Sequence, residues 1–278
     1  MGAYPARMTA SALLTRRVLL RDMGKAGLAL MVLGIAACSS ESGEGSAITT
    51  PDPTSSAQPT PMTDPTTGTT SSGTTTSPGP SDGYSWHRVD LGFVSAYIVY
   101  RSGVATVVDT GVDGSALAIE SGLVSVGLGW SDVGGLIITH RHPDHQGSTQ
   151  AVLDNAPDVP WYAGAGDLGA ITAQTQGSSV GDGDMVDGLE IIETPGHTAG
   201  HISVLDRTGG FLITGDALNG ENGGVVGPNP GFSENIELAN ESVIKLAGFD
   251  YEVALFGHGE PVLAGASAMV AELAENLG

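Results

Sequence analysis

Three histidines fall within six residues of the stretch Thr139-His140-Arg141-His142-Pro143-Asp144-His145, directly after the apolar run Leu136-Ile137-Ile138. Imidazoles this close repel one another when charged and waste polar groups when buried, whereas as neutral rings they are good metal ligands. Alternate residues leaving a strand point the same way, so His140 and His142 can converge on one ion. Asp144 and His145, in the turn that follows, are displaced enough to meet a second. Three more ligand-type residues each follow a β-type run and a glycine. They are His197 in Glu193-Thr194-Pro195-Gly196-His197-Thr198-Ala199-Gly200-His201, Asp216 in Leu212-Ile213-Thr214-Gly215-Asp216, and His258 in Leu255-Phe256-Gly257-His258-Gly259. Strand, glycine, ligand is the order expected of a site built on loops at one edge of a sheet. Five imidazoles and two carboxylates without a thiolate suit zinc and do not exclude iron or manganese. Two dications ~3.5 to 4 Å apart lower the pKa of a shared water from ~15.7 towards neutrality and polarise a carbonyl or phosphoryl oxygen. The chemistry implied is hydrolysis.

The elements that must position these residues are short and mixed. Strands are expected at 93–100, 105–109, 136–139, 189–193, 201–205, 211–214 and 252–256, each bounded by Gly, Asp or Pro. Helices are expected at 115–128, 146–155, 235–246 and 265–277, where apolar residues recur on one face. Early strands are hairpin-like and later ones mix with helices, so the fold class is α/β, with sheets covered by helices and not a single doubly wound parallel sheet. Order alone leaves one sheet or two open.

These elements occupy residues 84–278 of a 278-residue chain. Ahead of them, Thr15-Arg16-Arg17-Val18-Leu19-Leu20-Arg21 precedes a mildly apolar Gly/Ala-rich segment ending Ile35-Ala36-Ala37-Cys38. A charged region, a short apolar region and small residues before a cleavage point mark 1–37 as a signal peptide. The arginine pair resembles a twin-arginine signal, and the residues before Cys38 resemble a lipobox, in which that cysteine carries lipid and anchors the protein to a membrane. Residues 38–83 are read as a disordered tether, since 35 of the 45 residues from 39 to 83 are Ser, Thr, Pro or Gly. The expected location is extracytoplasmic, on the cell surface or in the periplasm.

From residue 84 onwards there are 25 Asp and Glu against five Lys and Arg, within a net charge of -21 for the whole chain. That excess excludes an electrostatic nucleic-acid binder, which needs a cationic stripe to displace counterions. A lone cysteine, Cys38, excludes an internal disulfide framework.

Asp109, the His140/His142/Asp144/His145 cluster, His197, Asp216 and His258 occur in the order and setting of the five motifs of the metallo-β-lactamase superfamily, which the whole of residues 84–278 resembles. The resemblance implies an αββα sandwich with the metal site at one edge. It implies one Zn2+ on His140, His142 and His197, a second on Asp144, His145 and His258, and Asp216 bridging them. Asp144 and Asp216 are then the catalytic carboxylates, Asp144 also orienting the hydroxide. Asp109 steadies a ligand or loop, and His201 matches a supporting histidine of the family. His87 matches no motif and is expected at the surface.

Class B β-lactamases of the commonest type carry Cys where this chain has Asp216, so the family name does not give the activity. Glyoxalase II enzymes carry basic residues for glutathione in a C-terminal helical region, whereas no Lys or Arg follows His258 here. The resemblance therefore implies a dinuclear zinc hydrolase of a small-molecule ester, lactone, thioester or lactam. The alternative is a surface lipoprotein that binds metal or captures substrate without turnover. Five glycines and two prolines between Asn219 and Phe232 suggest a mobile loop over the site, with Phe232 an apolar contact. Oligomeric state is not legible.

Overall fold

β-Branched and apolar residues at alternate positions make strands whose two faces can be buried against different partners. The computed structural model describes residues 83–277 and the backbone of 76–77. The signal-like segment 1–37, Arg16, Arg17, Cys38 and nearly all of 38–83 lie outside the described residues. Seven strands form the first sheet in chain order: β1 (Thr76–Ser77), β2 (Ser85–Asp90), β3 (Ser95–Arg101), β4 (Val104–Val108), β5 (Val133–Ile138), β6 (Trp161–Gly164) and β7 (Ser178–Val180). The first four strands are antiparallel and those from β4 to β7 parallel. Between them come helices α1 (Ala116–Ser125), α2 (Pro143–Gln146), α3 (Thr149–Asn155) and α4 (Ala165–Leu168).

The second sheet contains β8 (Met185–Val186), β9 (Leu189–Glu193), β10 (Ile202–Asp206) and β11 (Phe211–Ile213). After a separate hairpin of β12 (Asn219–Glu221) and β13 (Gly224–Val226), and after helix α5 (Ile236–Leu246), β14 (Val253–Leu255) pairs parallel to β11. Helix α6 (Ala266–Glu275) follows.

Three buried layers show how these pieces stack. Ile98, Val107, Leu136 and Ile138 of the first sheet pack with Ile119 and Leu123 of α1 and Val152 and Leu153 of α3. Their neighbours Tyr97, Val99, Val108 and Ile137 point the other way and meet Ile191, Val204, Ile213 and Leu255 of the second sheet. On the far side Ile192, Leu205, Leu212 and Ala254 pack with Val243 and Leu246 of α5 and Val270 of α6. The order is helix, sheet, sheet, helix, an αββα sandwich. Period-two alternation thus feeds two layers from each sheet, and each fully buried Leu, Ile or Val contributes roughly 1.5 to 3 kcal/mol.

The two sheets are also stapled at one end. Ser95 N donates to Gly257 O at 2.9 Å, and the buried Tyr97 hydroxyl donates to Phe256 O at 2.7 Å.

Several expectations shift. The strand at 189–193 forms with the expected bounds, while the expected helix 146–155 begins only at Thr149, as α3, with Gly147-Ser148 separating it from the short α2. Gly147 could not carry a side chain there, since a Cβ would lie 2.6 Å from Asp113 N. The stretch Asn219–Phe232 is no plain loop, because it contains the β12–β13 hairpin. His87 is not at the surface. It lies on the inward face of β2, 4 % exposed, with its ring near Gly122 and 3.4 Å from Ser125 Oγ, and burial lowers its pKa.

Candidate metal centre

Five strands end at the same edge of the sandwich, and each end carries one part of the site. β4 leads to Asp109, β5 to Thr139 through His145, β9 to the 194–201 loop, β11 to Asp216 and β14 to His258. Crowding there leaves no room for side chains beside the cluster. A Cβ on Gly257 would collide with Asp216 Oδ1 and lie 2.6 Å from His145 Cε1. One on Gly215, whose φ of 54° is already in the left-handed region, would lie 2.6 Å from His201 Nε2.

All seven expected ligands come together. His140, His142 and His197 form one group, Asp144, His145 and His258 another, and His140, His145 and Asp216 a third that spans the two; within each, the ligand atoms lie within 4.8 Å of one another. The Asp216 carboxylate lies between them. Its Oδ1 is 3.2 Å from His145 Nε2, and its Oδ2 is 3.3 Å from both His197 Nε2 and His258 Nε2 and 3.9 Å from His140 Nε2. The same His258 Nε2 is 3.4 Å from Asp144 Oδ2.

Hydrogen bonds fix which nitrogen each ring presents. Asp109 Oδ2 accepts from Thr139 Oγ1, so that hydroxyl is left to accept from His140 Nδ1 at 3.1 Å. The same carboxylate oxygen accepts from His145 Nδ1 at 2.8 Å, and Asp109 Oδ1 accepts from Thr139 N at 2.7 Å. Ser233 Oγ donates to Asn229 O and therefore accepts from His197 Nδ1 at 3.3 Å. His258 Nδ1 donates to Phe93 O at 2.6 Å. Four rings thus have Nδ1 engaged as donor and Nε2 turned to the centre, where its lone pair can serve an ion once that nitrogen carries no proton. His142 is the exception, presenting Nδ1, which lies 2.9 Å from His197 Nε2.

Of the four buried side-chain polar atoms that lack a hydrogen-bond partner among the described residues, three are His140 Nε2, His145 Nε2 and Asp216 Oδ1. Buried polar atoms are nearly always satisfied, so three orphans converging on one point identify a place for a cation. The donor set of imidazole and carboxylate fits zinc.

Charge divides the cluster. Burial holds His140 well below the usual imidazole range and His197 down to about 4, against the pull of Asp216. Burial also opposes protonation of His145, but the Asp216 and Asp109 carboxylates outweigh it and raise that pKa. Contacts with Asp144 and Asp216 push His258 up to about 10. Burial would raise Asp216, yet its histidine neighbours, His145 first, hold it well below the carboxylate range.

His201 supports the site without joining a ligand group. Its Nε2 accepts from the Asp216 backbone N–H at 2.9 Å, so Nδ1 carries the proton and donates to Thr194 Oγ1 at 2.8 Å. Thr194 then donates to Ser203 Oγ, which donates to Thr214 O, completing a buried chain with one direction. Burial lowers the His201 pKa to about 3, which keeps the ring neutral as this arrangement requires.

Asp167 was not anticipated. This fully buried carboxylate accepts from Arg141 N, Arg141 Nη1, Thr198 Oγ1 and Gly200 N, and so ties the loop of His140 and His142 to the loop of His197. Arg141 also pairs with Glu234, next to Ser233. A lone acid on the short helix α4 gives no local signal of such a role.

The cluster opens into a cavity of about 560 Å³ lined by His142, Asp144, Asp216, His258, Asn219 and Asn229, with Pro143 and the aromatic rings of Phe93 and Phe232.

Residues 89–258 match the metallo-beta-lactamase superfamily. A probable metallo-hydrolase, YflN, of Bacillus subtilis is 28 % identical, covering 46 % of this chain and 64 % of that protein. The thioesterase pkgB of Emericella nidulans is 28 % identical over 65 % of this chain and 50 % of its own length, and a hydroxyacylglutathione hydrolase of Cupriavidus taiwanensis 32 % identical over 51 % of each. The chain thus spans about half to two thirds of the length of these relatives. Among solved structures, a metallo-beta-lactamase family protein from Thermus thermophilus superposes with a TM-score of 0.54 at 24 % identity, over 66 % of this chain and 74 % of that one. The metallo-beta-lactamase SMB-1 superposes with a TM-score of 0.53 at 18 % identity, over 62 % and 76 %.

Proposed function

Because the chain belongs to the metallo-beta-lactamase superfamily, we propose that it is a dinuclear zinc hydrolase of small-molecule esters, lactones, thioesters or lactams. The observation that carries this reading is the convergence of three orphaned buried atoms, His140 Nε2, His145 Nε2 and Asp216 Oδ1, with two flanking groups of ligand type. His140, His142 and His197 would hold one ion, Asp144, His145 and His258 the other, and Asp216 would contact both. Bound zinc would supply Lewis-acid polarisation of the scissile carbonyl and a water acidified towards neutrality.

The remaining work falls to the chain. Asp144, whose pKa is lowered chiefly by contact with His258, is ionised at neutral pH and lines the cavity, where its carboxylate would orient the attacking water. Asp109 and the Thr139 hydroxyl hold the Nδ1 protons of His145 and His140, keeping both Nε2 atoms inward. His201 holds the Asp216 backbone. Rings at Phe93 and Phe232 flank the entrance and limit water around the acyl group.

Metal content and turnover measured on one zinc-loaded preparation test this, with a panel of lactone, ester, thioester and cephalosporin. Two ions per chain with hydrolysis of at least one class is the expected result. Two ions with binding but no turnover of any member would favour capture without catalysis. For the segment outside the described residues we propose twin-arginine export and lipid anchoring at Cys38. Arg16→Lys with Arg17→Lys should retain precursor in the cytoplasm, and Cys38→Ala should release the protein from membranes; unaffected export and anchoring would refute both.

A further inference from the structure

A second cavity, of about 700 Å³, adjoins the one beside the metal centre and shares Asn219, Asn229 and His258 with it. Backbone packing fixes the junction. Gly220 N donates to His258 O at 3.0 Å, and Gly259, with a φ of 90°, lies so close to Gly220 that a Cβ on it would collide with Gly220 O. Asn219 Nδ2 donates to Gly227 O at 3.1 Å, and Asn229 Oδ1 accepts from Gly231 N at 2.9 Å. The β12–β13 hairpin is therefore seated on the His258 loop, and the two carboxamides at the junction are held in place.

Beyond the junction the walls are aliphatic. They are formed by Val226 of β13, Pro228, Pro230, Ile236 at the start of α5, and Leu273 and Leu277 at the far end of α6, with Glu221 and Asn240 as further polar members. The same two helices bury Val243, Leu246 and Val270 completely in the core. Val226, Ile236, Leu273 and Leu277, by contrast, are only half-buried and keep part of their surface open to this cavity. Covering such surface is favourable in proportion to its apolar area. The volume is that of a pocket for a small molecule. An aliphatic chamber joined to a candidate hydrolytic centre is placed to hold a part of the substrate that does not react, where binding energy is gained away from the chemistry.

We propose that the second cavity is a subsite for an aliphatic chain of the substrate, carried on either side of the scissile bond, so that the protein favours medium-chain esters, lactones or thioesters over their short-chain counterparts. This inference rests on the hydrolase reading above and narrows its substrate class. The reacting carbonyl occupies the first cavity, beside the ligand groups, while the chain passes Asn219 and Asn229 and lies against Ile236, Leu273 and Leu277. Each methylene that leaves water there should raise kcat/KM by about two- to fourfold.

The test measures kcat/KM on the zinc-loaded protein for two series, one lengthened on the acyl side and one on the alcohol side. In at least one of them, 4-nitrophenyl octanoate over butyrate or hexyl over ethyl phenylacetate, the longer ester should be preferred by at least about tenfold. Asn240→Trp fills the cavity from α5, and Leu273→Asp puts a charge on its wall. Each should cut that ratio by at least about fivefold. Two variants are used because Leu273 also packs against the core. Leu117→Ala, an exposed position on α1, should leave the ratio unchanged. Equal rates for long and short members in both series, or a preference that survives in both folded variants, would overturn the inference. So would a flat response together with self-association that Leu273→Asp abolishes on gel filtration, which would assign the aliphatic surface to contact between copies. Absence of turnover with every ester would instead refute the hydrolase reading. The inference is then read from calorimetric titration with octanamide and butyramide. Octanamide should bind at least about tenfold more tightly and Asn240→Trp should abolish the difference, whereas equal affinities would overturn the inference.

Discussion

The two ligand groups use the same chemistry in different degrees of confinement. His140, His142 and His197 lie on two loops tied together by Asp167, with His140 and His197 almost completely buried. Asp144 and His258 of the other group keep side-chain exposures of 27 % and 30 %, and the His258 Nδ1 is held by a backbone carbonyl, that of Phe93. Only His145 in that group is buried and braced by a carboxylate. Preorganisation is therefore concentrated around the first group, and access around the second. A site of this kind should hold one ion tightly and expose the other to substrate and exchange.

The strongest way to break this contrast is through the residue shared by both groups. Asp216→Ala should lower kcat/KM by at least about 10³-fold and reduce bound zinc below two per chain, since several kcal/mol of stabilisation depend on ions held in place. Retention of two tightly bound ions, read by elemental analysis after gel filtration, would show that Asp216 does not bridge.

Asp167 tests the first group alone. Asp167→Ala removes four accepted hydrogen bonds and leaves Arg141 unpaired on that side, so it should cost about 3 kcal/mol or more in unfolding free energy. Zinc affinity should fall 10- to 100-fold at the tighter site. A loss confined to the weaker site, followed by competition with a chromophoric chelator, would reverse the ranking of the two groups.

Proton release sharpens the comparison further. In the ion-free protein the pKa of His258 is raised to about 10 and that of His145 is raised too, so zinc entering the second group must displace protons at neutral pH. Affinity at that group should therefore rise about tenfold per pH unit for each proton displaced and level off as pH approaches 10. His197 is lowered to about 4 and His140 is lowered too, so affinity at the first group should be nearly flat above pH 5. Calorimetry in buffers of different ionisation enthalpy reads the protons released. Equal release from both sites would contradict the division. The smallest effect expected is electrostatic: turnover of a carboxylate-bearing ester should rise a few-fold between 0.1 M and 1 M salt as repulsion by the acidic surface is screened, and a neutral ester should respond little.

The candidate ligand residues were legible because metal chemistry compresses unusual residues into short segments, and because a β-run followed by glycine and a ligand-type residue repeats three times. The alternation that made strands recognisable also decided the layers, as with Ile191 and Ile192 facing opposite sides of the second sheet. What stayed hidden depends on distant contacts. Asp167 acts on residues 26 to 33 positions away, and Ser233 on a histidine 36 positions away. His87 misled for a related reason: on β2 a polar residue occupies an inward position, which reads as surface until α1 is known to cover it. The β12–β13 hairpin was obscured by glycines that favour loops and also permit tight turns.

The staple between the sheets has a temporal consequence. Ser95, Tyr97 and Phe93 belong to the first sheet and its leading hairpin, while Phe256, Gly257 and His258 close the second. His258 therefore reaches its station only after chain segments more than 160 residues apart have docked, whereas His140, His142 and His145 are neighbours from the moment they are synthesised. Filling of a second ion position would then be a record of completed assembly, a maturation checkpoint written in metal content.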